Sequence, residues 1–191
     1  MEATQDLLWE QGYSATSPKD IMRRSGAGQG SMYHHFTNKQ ELAVVALECS
    51  AQSMRHDTEK LLATDGSAYE IATAYLRRQR DVLKGCRMGR MTFDADVLNT
   101  PELIEPVKRT FVWLLEALTV LFERGRDQGE FAADIDARNL ASLVVATVQG
   151  GYVLARATRD TDAFDAAVEG AAALLRKATV PLTTEVSDHS E

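Results

Sequence analysis

Apolar residues recur along this chain at three- and four-residue intervals, and no stretch alternates strictly between apolar and polar, so the pattern predicts helices throughout and no strands. One helix is expected over about residues 39–62, broken by Thr64-Asp65-Gly66-Ser67. In the next, Ala72, Tyr75, Leu76, Gln79 and Leu83 share a face up to a stop near Gly85. A shorter segment runs from about Met88 to Leu98, after which Thr100 is placed to cap a helix whose first residue is Pro101. That helix holds FVWLLEALTVLF at 111–122, apolar almost all round, which predicts a central post covered on several sides and ending near Gly129. Asp136 then caps a helix carrying Leu140, Leu143, Val144, Thr147, Gly151 and Leu154, and Asp162 caps a last one carrying Phe164, Ala167, Val168, Ala171, Leu174 and Leu175. From Val180 the period is lost, so 180–191 reads as a disordered tail.

Small residues add a packing argument. Gly150-Gly151 in mid-helix costs on the order of 1 kcal/mol per glycine relative to alanine, and a close helix contact is the usual compensation. Ala163, Ala166, Ala167, Ala171 and Ala172 give the last helix the same capacity for close approach. Composition alone leaves open whether the contact lies within one chain or between two.

The N-terminal pattern is different in kind. Ser17, Pro18 and Asp20 form an N-cap, first-turn proline and capping-box carboxylate, Ile21 supplies a buried contact, and Arg23, Arg24 and Ser25 run out to Gly26, a C-terminal stop. The following run, Gly26 to Thr37, is a turn with glycines leading into one short helical turn and an aromatic cluster. A helix that short buries no amphipathic face of its own. It serves as a probe held out by its neighbours, as a helix-turn-helix holds its recognition helix.

With 191 residues and 45% hydrophobic content the chain has room for one sizeable domain or two small ones and can bury a real core. It holds no unbroken apolar run of membrane-spanning length and no basic-plus-apolar leader, which predicts a soluble cytoplasmic protein. The net charge of −7 argues against a sequence-blind polyanion binder. Even the first fifty residues carry Lys19, Arg23, Arg24 and Lys39 against six carboxylates, so any case for DNA rests on local geometry. Cys49 and Cys86 are too few and too far apart for a disulfide framework. Adjacent His34 and His35 point about 100° apart on a helix and do not converge on one metal ion, so neither metal nor cofactor is expected. No Ser/His/Asp set, phosphate loop or carboxylate pair with supporting context is present, and enzyme activity is not expected.

Taken as one unit, GYSATSPKDIMRRSGAGQGSMYHHFTNKQEL resembles the DNA-binding domain of TetR-family transcriptional regulators. The correspondence lies in Gly12-Tyr13, Thr16-Ser17, Asp20-Ile21, Gly26, Gly30, Tyr33, Phe36, Lys39 and Leu42, and covers about residues 3–47 without a gap. Two departures stand out: Gly28 replaces the usual Ser or Thr cap of the recognition helix, and the first helix lacks the basic first turns common in the family. The resemblance implies an all-α protein with a three-helix helix-turn-helix domain over residues 1–45 and a helical ligand-binding and dimerisation domain over 46–179. It implies a repressor that binds a palindromic operator in double-stranded DNA as a homodimer, is released by a small organic ligand, and has no membrane partner.

On that basis Ser17, Lys19, Gly28, Gln29, Gly30, Ser31, Met32, Tyr33, His34, Thr37 and Lys39 are the expected DNA-facing residues. Tyr33, His34 and Lys39, with Ser17 and Thr37, belong on phosphates, and Gln29 and Ser31 on base edges. The resemblance places the dimer contact on the last two long helices, at Leu140, Leu143, Val144, Thr147, Gly151, Leu154, Phe164, Ala167, Val168, Ala171, Leu174 and Leu175. The ligand pocket is expected among Tyr75, Cys86, Met88, Met91, Phe93, Phe111, Trp113, Leu114, Phe122, Gln149 and Tyr152, whose aromatic and methionine character suits an organic molecule. Cys86, within GCRMGRM, reads as a structural thiol, the alternative being a redox sensor activated by Arg87 and Arg90. The rival reading from another class is a helical ligand-binding or scaffolding protein that has lost DNA binding, suggested by the acidic head.

Overall fold

Short-range capping sets where most helices begin. The computed structural model describes residues 1–28, 30 and 34–180. Helix α1, Glu2–Gln11, closes at Gly12 with φ 86°, and α2, Pro18–Ser25, opens on the Ser17–Asp20 capping box and closes at Gly26 with φ 69°. Asn38 caps α3, Lys39–Leu62, and a second capping box, Ser67 with Glu70, opens α4, Ala68–Arg77. Two short helices follow, α5 (Arg87–Met91) and α6 (Ala95–Asn99), then the long helices α7 (Pro101–Asp127), α8 (Ala137–Thr158, capped by Asp136) and α9 (Asp162–Ala178). No strand occurs among the described residues; the one β contact is an isolated antiparallel bridge between Phe131 and Thr179.

Several boundaries differ from the sequence expectation, each for a local reason. Helix α4 stops at Arg77, well short of Gly85, so Gln79 and Leu83 lie off the helix. The Arg80 guanidinium turns back and donates to the carbonyls of Leu76 (2.7 Å), Arg78 (2.8 Å) and Tyr75, satisfying acceptors that another turn would have used. The single segment expected over 88–98 is split by Asp94, whose carboxylate accepts from the amides of Asp96 and Val97 and starts a new helix. Thr100 precedes α7 without a side-chain capping bond. Thr161, rather than Asp162, holds the cap position of α9. Val180, expected as the start of a loose tail, donates its N–H to the Glu130 carbonyl at 2.8 Å. Residues 181–191 lie outside the described residues.

Three apolar clusters organise these helices. The largest joins Leu114, Leu118, Leu121 and Phe122 of α7 to Ile71, Tyr75 and Leu76 of α4, Val144 and Val148 of α8, and Phe164, Val168 and Leu175 of α9. The second gathers Leu8 of α1, Ala43, Ala46 and Leu47 of α3, Met88 and Met91 of α5, Val97 of α6, and Leu103 and Val107 of α7. The smallest, Leu7, Ile21 and Leu42 with Met22 and Phe36 against them, holds the N-terminal helices together. Helix α7 is a post, as expected, but one side is open: Val112 and Val120 are 58% and 55% exposed.

Two tight features tie α4 to the end of α7. The Glu130 carboxylate accepts from the Ala68 and Tyr69 amides at 2.8 and 2.7 Å, placing negative charge on the amino end of α4. A Cβ at Gly125 would lie 2.7 Å from the Ala68 Cβ and 2.9 Å from the Phe131 ring. Gly125→Ala should therefore lower the thermal midpoint, since overpacking of about 1–3 kcal/mol outweighs the gain in helix propensity of about 1 kcal/mol. A raised midpoint would show that the contact relaxes freely. Glu130→Gln should lose about 1–2 kcal/mol in denaturant unfolding, because two charge-assisted bonds become neutral ones; unchanged stability would remove this clamp from the account.

Candidate functional site

The N-terminal site is built around the segment between α2 and α3. Gly26 adopts the left-handed backbone that turns the chain out of α2, with its amide bonded to the Met22 carbonyl. At the far end Phe36 packs, half-buried, against Leu7, Ile21 and Leu42, and Asn38 then caps α3. Gly30, His34 and His35 have helical backbone, and both histidines are exposed. Nothing lies within 4 Å of a Cβ built on Gly28 or Gly30, so neither glycine is required by packing within the chain. The expected contacts Gln29, Ser31, Met32 and Tyr33 lie outside the described residues.

Several of the remaining expected DNA contacts have partners within the chain. Ser17 is occupied by its capping box, its hydroxyl 2.6 Å from Asp20 Oδ2. Thr37 donates through both N–H and hydroxyl to Glu41 Oε2, at 2.8 and 2.7 Å, and these bonds hold the Glu41 carboxyl below its usual range. Lys39 Nζ donates to the Tyr13 carbonyl at 2.9 Å and sits 3.9 Å from the centre of the Tyr13 ring. Burial there pulls the Lys39 ammonium below its ordinary value, against the pull of Asp96 and Asp94. Of the other cations flanking the turn, Arg23 pairs with Asp20 and Arg24 with Glu10, each at 2.8 Å, while Lys19 is exposed with no ion pair among the described residues. Such exposed pairs are weak and screened by salt, so a phosphate can compete for either arginine.

The N-terminal unit is tied to the rest of the molecule by a row of polar contacts. Trp9 Nε1 donates to the Gly85 carbonyl at 3.0 Å, Arg87 pairs with Asp6 at 2.9 Å, and Gln5 donates to Ser50 Oγ at 3.0 Å. Ser14 donates its amide (2.8 Å) and its hydroxyl to Asp94. Burial raises the Asp94 carboxyl, but those bonds outweigh it and leave the group below its usual value. None of these links was expected from sequence, although Gly85 and Arg87 were noted there for other reasons; each spans many residues and leaves no local pattern.

The expected ligand residues do not form one pocket. A cleft of about 780 Å³ opens between α1, α3, residues 78–88 and α8, and of the expected set it takes Cys86, Met88 and Tyr152. Gln149 lies beside it, its amide oxygen against Gly89 where a Cβ would collide. Tyr75, Leu114 and Phe122 are filled core, as is Met91 in the second cluster. Phe122 makes an edge contact with Phe131 at 5.7 Å. Phe111 is wedged between the two larger clusters, and Trp113 lines a separate groove between α3 and α7 with Arg55 over its ring at 4.7 Å. Phe93 is 73% exposed and lies outside the cleft. The cleft also recruits Trp9, Arg78, Arg80 and Arg87, which sequence reading left out; the one signal was the run Arg77-Arg78-Gln79-Arg80, which resembles an ordinary solvated face.

The expected dimer set divides by face. Val144, Phe164, Val168, Ala171 and Leu175 are buried within the chain, and Gly151 exists to admit Phe164, whose ring would lie 2.7 Å from a Cβ there. These positions are intramolecular because the same ridge that bears small residues also packs α8 on α9. Leu140, Leu143, Thr147 and Ala167 are half-buried, while Leu154 and Leu174 are 51% and 57% exposed, with Val153 at 50%. Gly150 and Gly170 have nothing within 4 Å of a built Cβ. Helix α8 is apolar enough by length and composition to cross a membrane, but its inner side is packed in the bundle, and what faces outward is an apolar stripe of small residues.

Comparison with known proteins agrees with this architecture. The family profile for bacterial regulatory proteins of the tetR family matches residues 1–46, and that for the Tetracyclin repressor-like C-terminal domain matches residues 66–171. The chain is 24% identical over 178 residues to YxaF, an HTH-type transcriptional regulator of Bacillus subtilis, covering 90% of each. Among solved structures it is similar to a TetR transcriptional regulator from Chloroflexus aurantiacus J-10-FL (TM-score 0.83, 27% identity, 93% of each chain). It also shares its fold with FadR from Bacillus subtilis in complex with stearoyl-CoA (TM-score 0.71, 16% identity, 93% of this chain and 96% of that one). With both halves matched in order, the chain belongs to the TetR family of bacterial DNA-binding transcriptional regulators.

Proposed function

We propose that the protein is a cytoplasmic repressor that binds a palindromic operator as a homodimer and leaves it when a small organic ligand occupies the body. The observation that carries this reading is the pair of anchors around residues 28–35: the left-handed Gly26 on one side and Phe36 in the Leu7–Ile21–Leu42 cluster on the other. A segment pinned at both ends, with Gly28, Gly30, His34 and His35 exposed, suits insertion into a major groove. Residues 1–45 are assigned to DNA binding, and 46–179 to ligand binding and dimerisation.

Net charge is unfavourable in the head, so affinity must come from directed contacts. The amino ends of α2 and α3 offer amides to phosphates. Lys19, His34 and two remaining N–H groups of Lys39 add side-chain donors, and Tyr33 joins them by family resemblance. Gln29 and Ser31 are assigned to base edges, where hydrogen bonds discriminate sequence. The outward stripe of exposed Gly150, Leu154, Gly170 and Leu174 with half-buried Leu143, Thr147 and Ala167 is assigned to the second copy, which brings two recognition segments to successive major-groove faces roughly 34–36 Å apart. The shared fold of a neighbour that carries stearoyl-CoA supports small-molecule release in outline. Coupling is reciprocal, so operator weakens ligand by the same factor as ligand weakens operator.

Two outcomes test this. Against an operator selected from random duplexes and titrated at stated salt, Tyr33→Ala and Lys39→Ala should weaken all sequences alike, whereas Gln29→Ala and Ser31→Ala should change the ranking among sequences; wild-type behaviour from all four sinks the docking assignment, and failure to select any sequence favours a protein that has lost DNA binding. Leu154→Asp with Leu174→Asp should convert a dimer to a folded monomer in light scattering, since both side chains are half-exposed in the single chain. Persistence of the dimer would place the interface elsewhere.

A further inference from the structure

The cleft of about 780 Å³ has an uneven distribution of charge. Its acidic members, Glu2, Asp57 and Asp81, are solvent-exposed, and Asp81 already pairs with Lys84. Its arginines, Arg78, Arg80 and Arg87, are all half-buried. Arg87 is matched by Asp6, but among the described residues no carboxylate pairs with Arg78 or Arg80. Arg78 donates to Thr58 Oγ1 at 3.2 Å, and Arg80 donates to backbone carbonyls at the end of α4 while its Nε is sealed from solvent with no acceptor. The Tyr75 ring lies 4.7 Å from Arg78 and 5.3 Å from Arg80, and a helix carboxyl end presents roughly half a negative charge, but neither supplies a full counter-charge where water screens poorly.

The walls complete a binding site. Trp9, with Arg87 4.2 Å from its ring centre, and Met54 supply apolar surface, Met88 is buried beneath them, and Tyr152 stands near both arginines. Burial pushes the Tyr152 hydroxyl up to about 12, with Arg80 and Arg78 pulling the other way, so it stays a hydrogen-bond donor at neutral pH. Cationic donors at depth, an aromatic wall and a volume within the 300–1,000 Å³ of organic-ligand sites describe one class of occupant.

We propose that this cleft binds an organic monoanion, its carboxylate seated between Arg78, Arg80 and Tyr152 and its flat apolar body against Trp9 and Met54. This rests on the reading that the body takes a small ligand, and it names the chemistry of that ligand. It also places the effector against the head, because Trp9 and Gln5 belong to α1 and the neighbouring Gly85 and Arg87 hold that helix. An occupant that moves the 78–88 segment bears directly on α1 without passing through α3.

The test uses the intact free protein and three probes with one aromatic body: 2-naphthoate, 2-naphthol and 2-naphthyltrimethylammonium, titrated by calorimetry at matched ionic strength. Naphthoate should bind once per chain and at least about tenfold more tightly than naphthol, with the ammonium weakest. Arg78→Gln should erase most of that preference while leaving naphthol affinity unchanged, and it avoids the folding risk of removing Arg80 from the end of α4. Trp9→Ala should weaken naphthoate and naphthol together. Equal affinity for the three probes, no binding at millimolar concentration, or an anion preference that survives Arg78→Gln but disappears in Arg55→Gln, in the separate α3–α7 groove, would overturn the assignment. Operator titration is independent of these readings, so failed DNA binding leaves the anion site standing and failed naphthoate binding leaves the regulator reading standing.

Discussion

Two adjacent side chains on one short helix join the core beneath the segment between α2 and α3 to the core of the body, a role that Leu42 and Ala43 share on α3. Leu7 and Leu8 of α1 are both 3% exposed, yet they enter different cores. Leu7 packs with Ile21 and Leu42 beneath the recognition segment, and Leu8 packs with Met88, Met91, Val97 and Leu103 in the body. Neighbouring residues on a helix point about 100° apart, so a single helix serves as a wall of two clusters and cannot rotate without disturbing both. Each buried leucine is worth about 1.5–3 kcal/mol, enough to make α1 a structural member of the body as well as of the head. The polar links from Trp9, Asp6 and Ser14 to residues 85–94 add direction to that packing.

The head binds DNA, as its family does, without an excess of positive charge. Arg23 and Arg24 are already engaged with carboxylates and Lys39 with Tyr13, so long-range attraction is weak and geometry has to supply the contact. This places more weight on how firmly the segment is held, and hence on the anchors at Gly26 and Phe36. It also makes DNA affinity sensitive to small displacements of α1 and α2. A regulator of this build can be switched by shifting a support, with no need to block the interface itself.

What was legible in the sequence was local. The Ser17–Asp20 box, the Gly26 stop, the Lys39–Leu62 helix and the Pro101 start all depend on residues within a few positions of one another. The early end of α4 was not legible, because it depends on Arg80 reaching back to carbonyls that any helix would offer. Gly150 and Gly151 are the same residue type side by side, and only Phe164 on another helix makes one an internal contact and the other an open face. The pocket failed for a similar reason: Tyr75, Leu114 and Phe122 have the apolar character of ligand walls, but the three-helix contact around α7 fills that space with them. The cleft that does exist is lined by arginines that, read singly, pass for solvated surface.

Native-state amide hydrogen exchange on the full chain tests the role of α1 most directly, because exchange separates cooperative units by their opening free energies. If α1 belongs to both cores, its amides should exchange with those of α3 and α7, at a free energy near that of global unfolding, while α2, which buries only Ile21, opens earlier. Exchange of α1 together with α2, at a much lower opening energy than α3, would show that α1 belongs to the head alone and would remove it as a link between the head and the body.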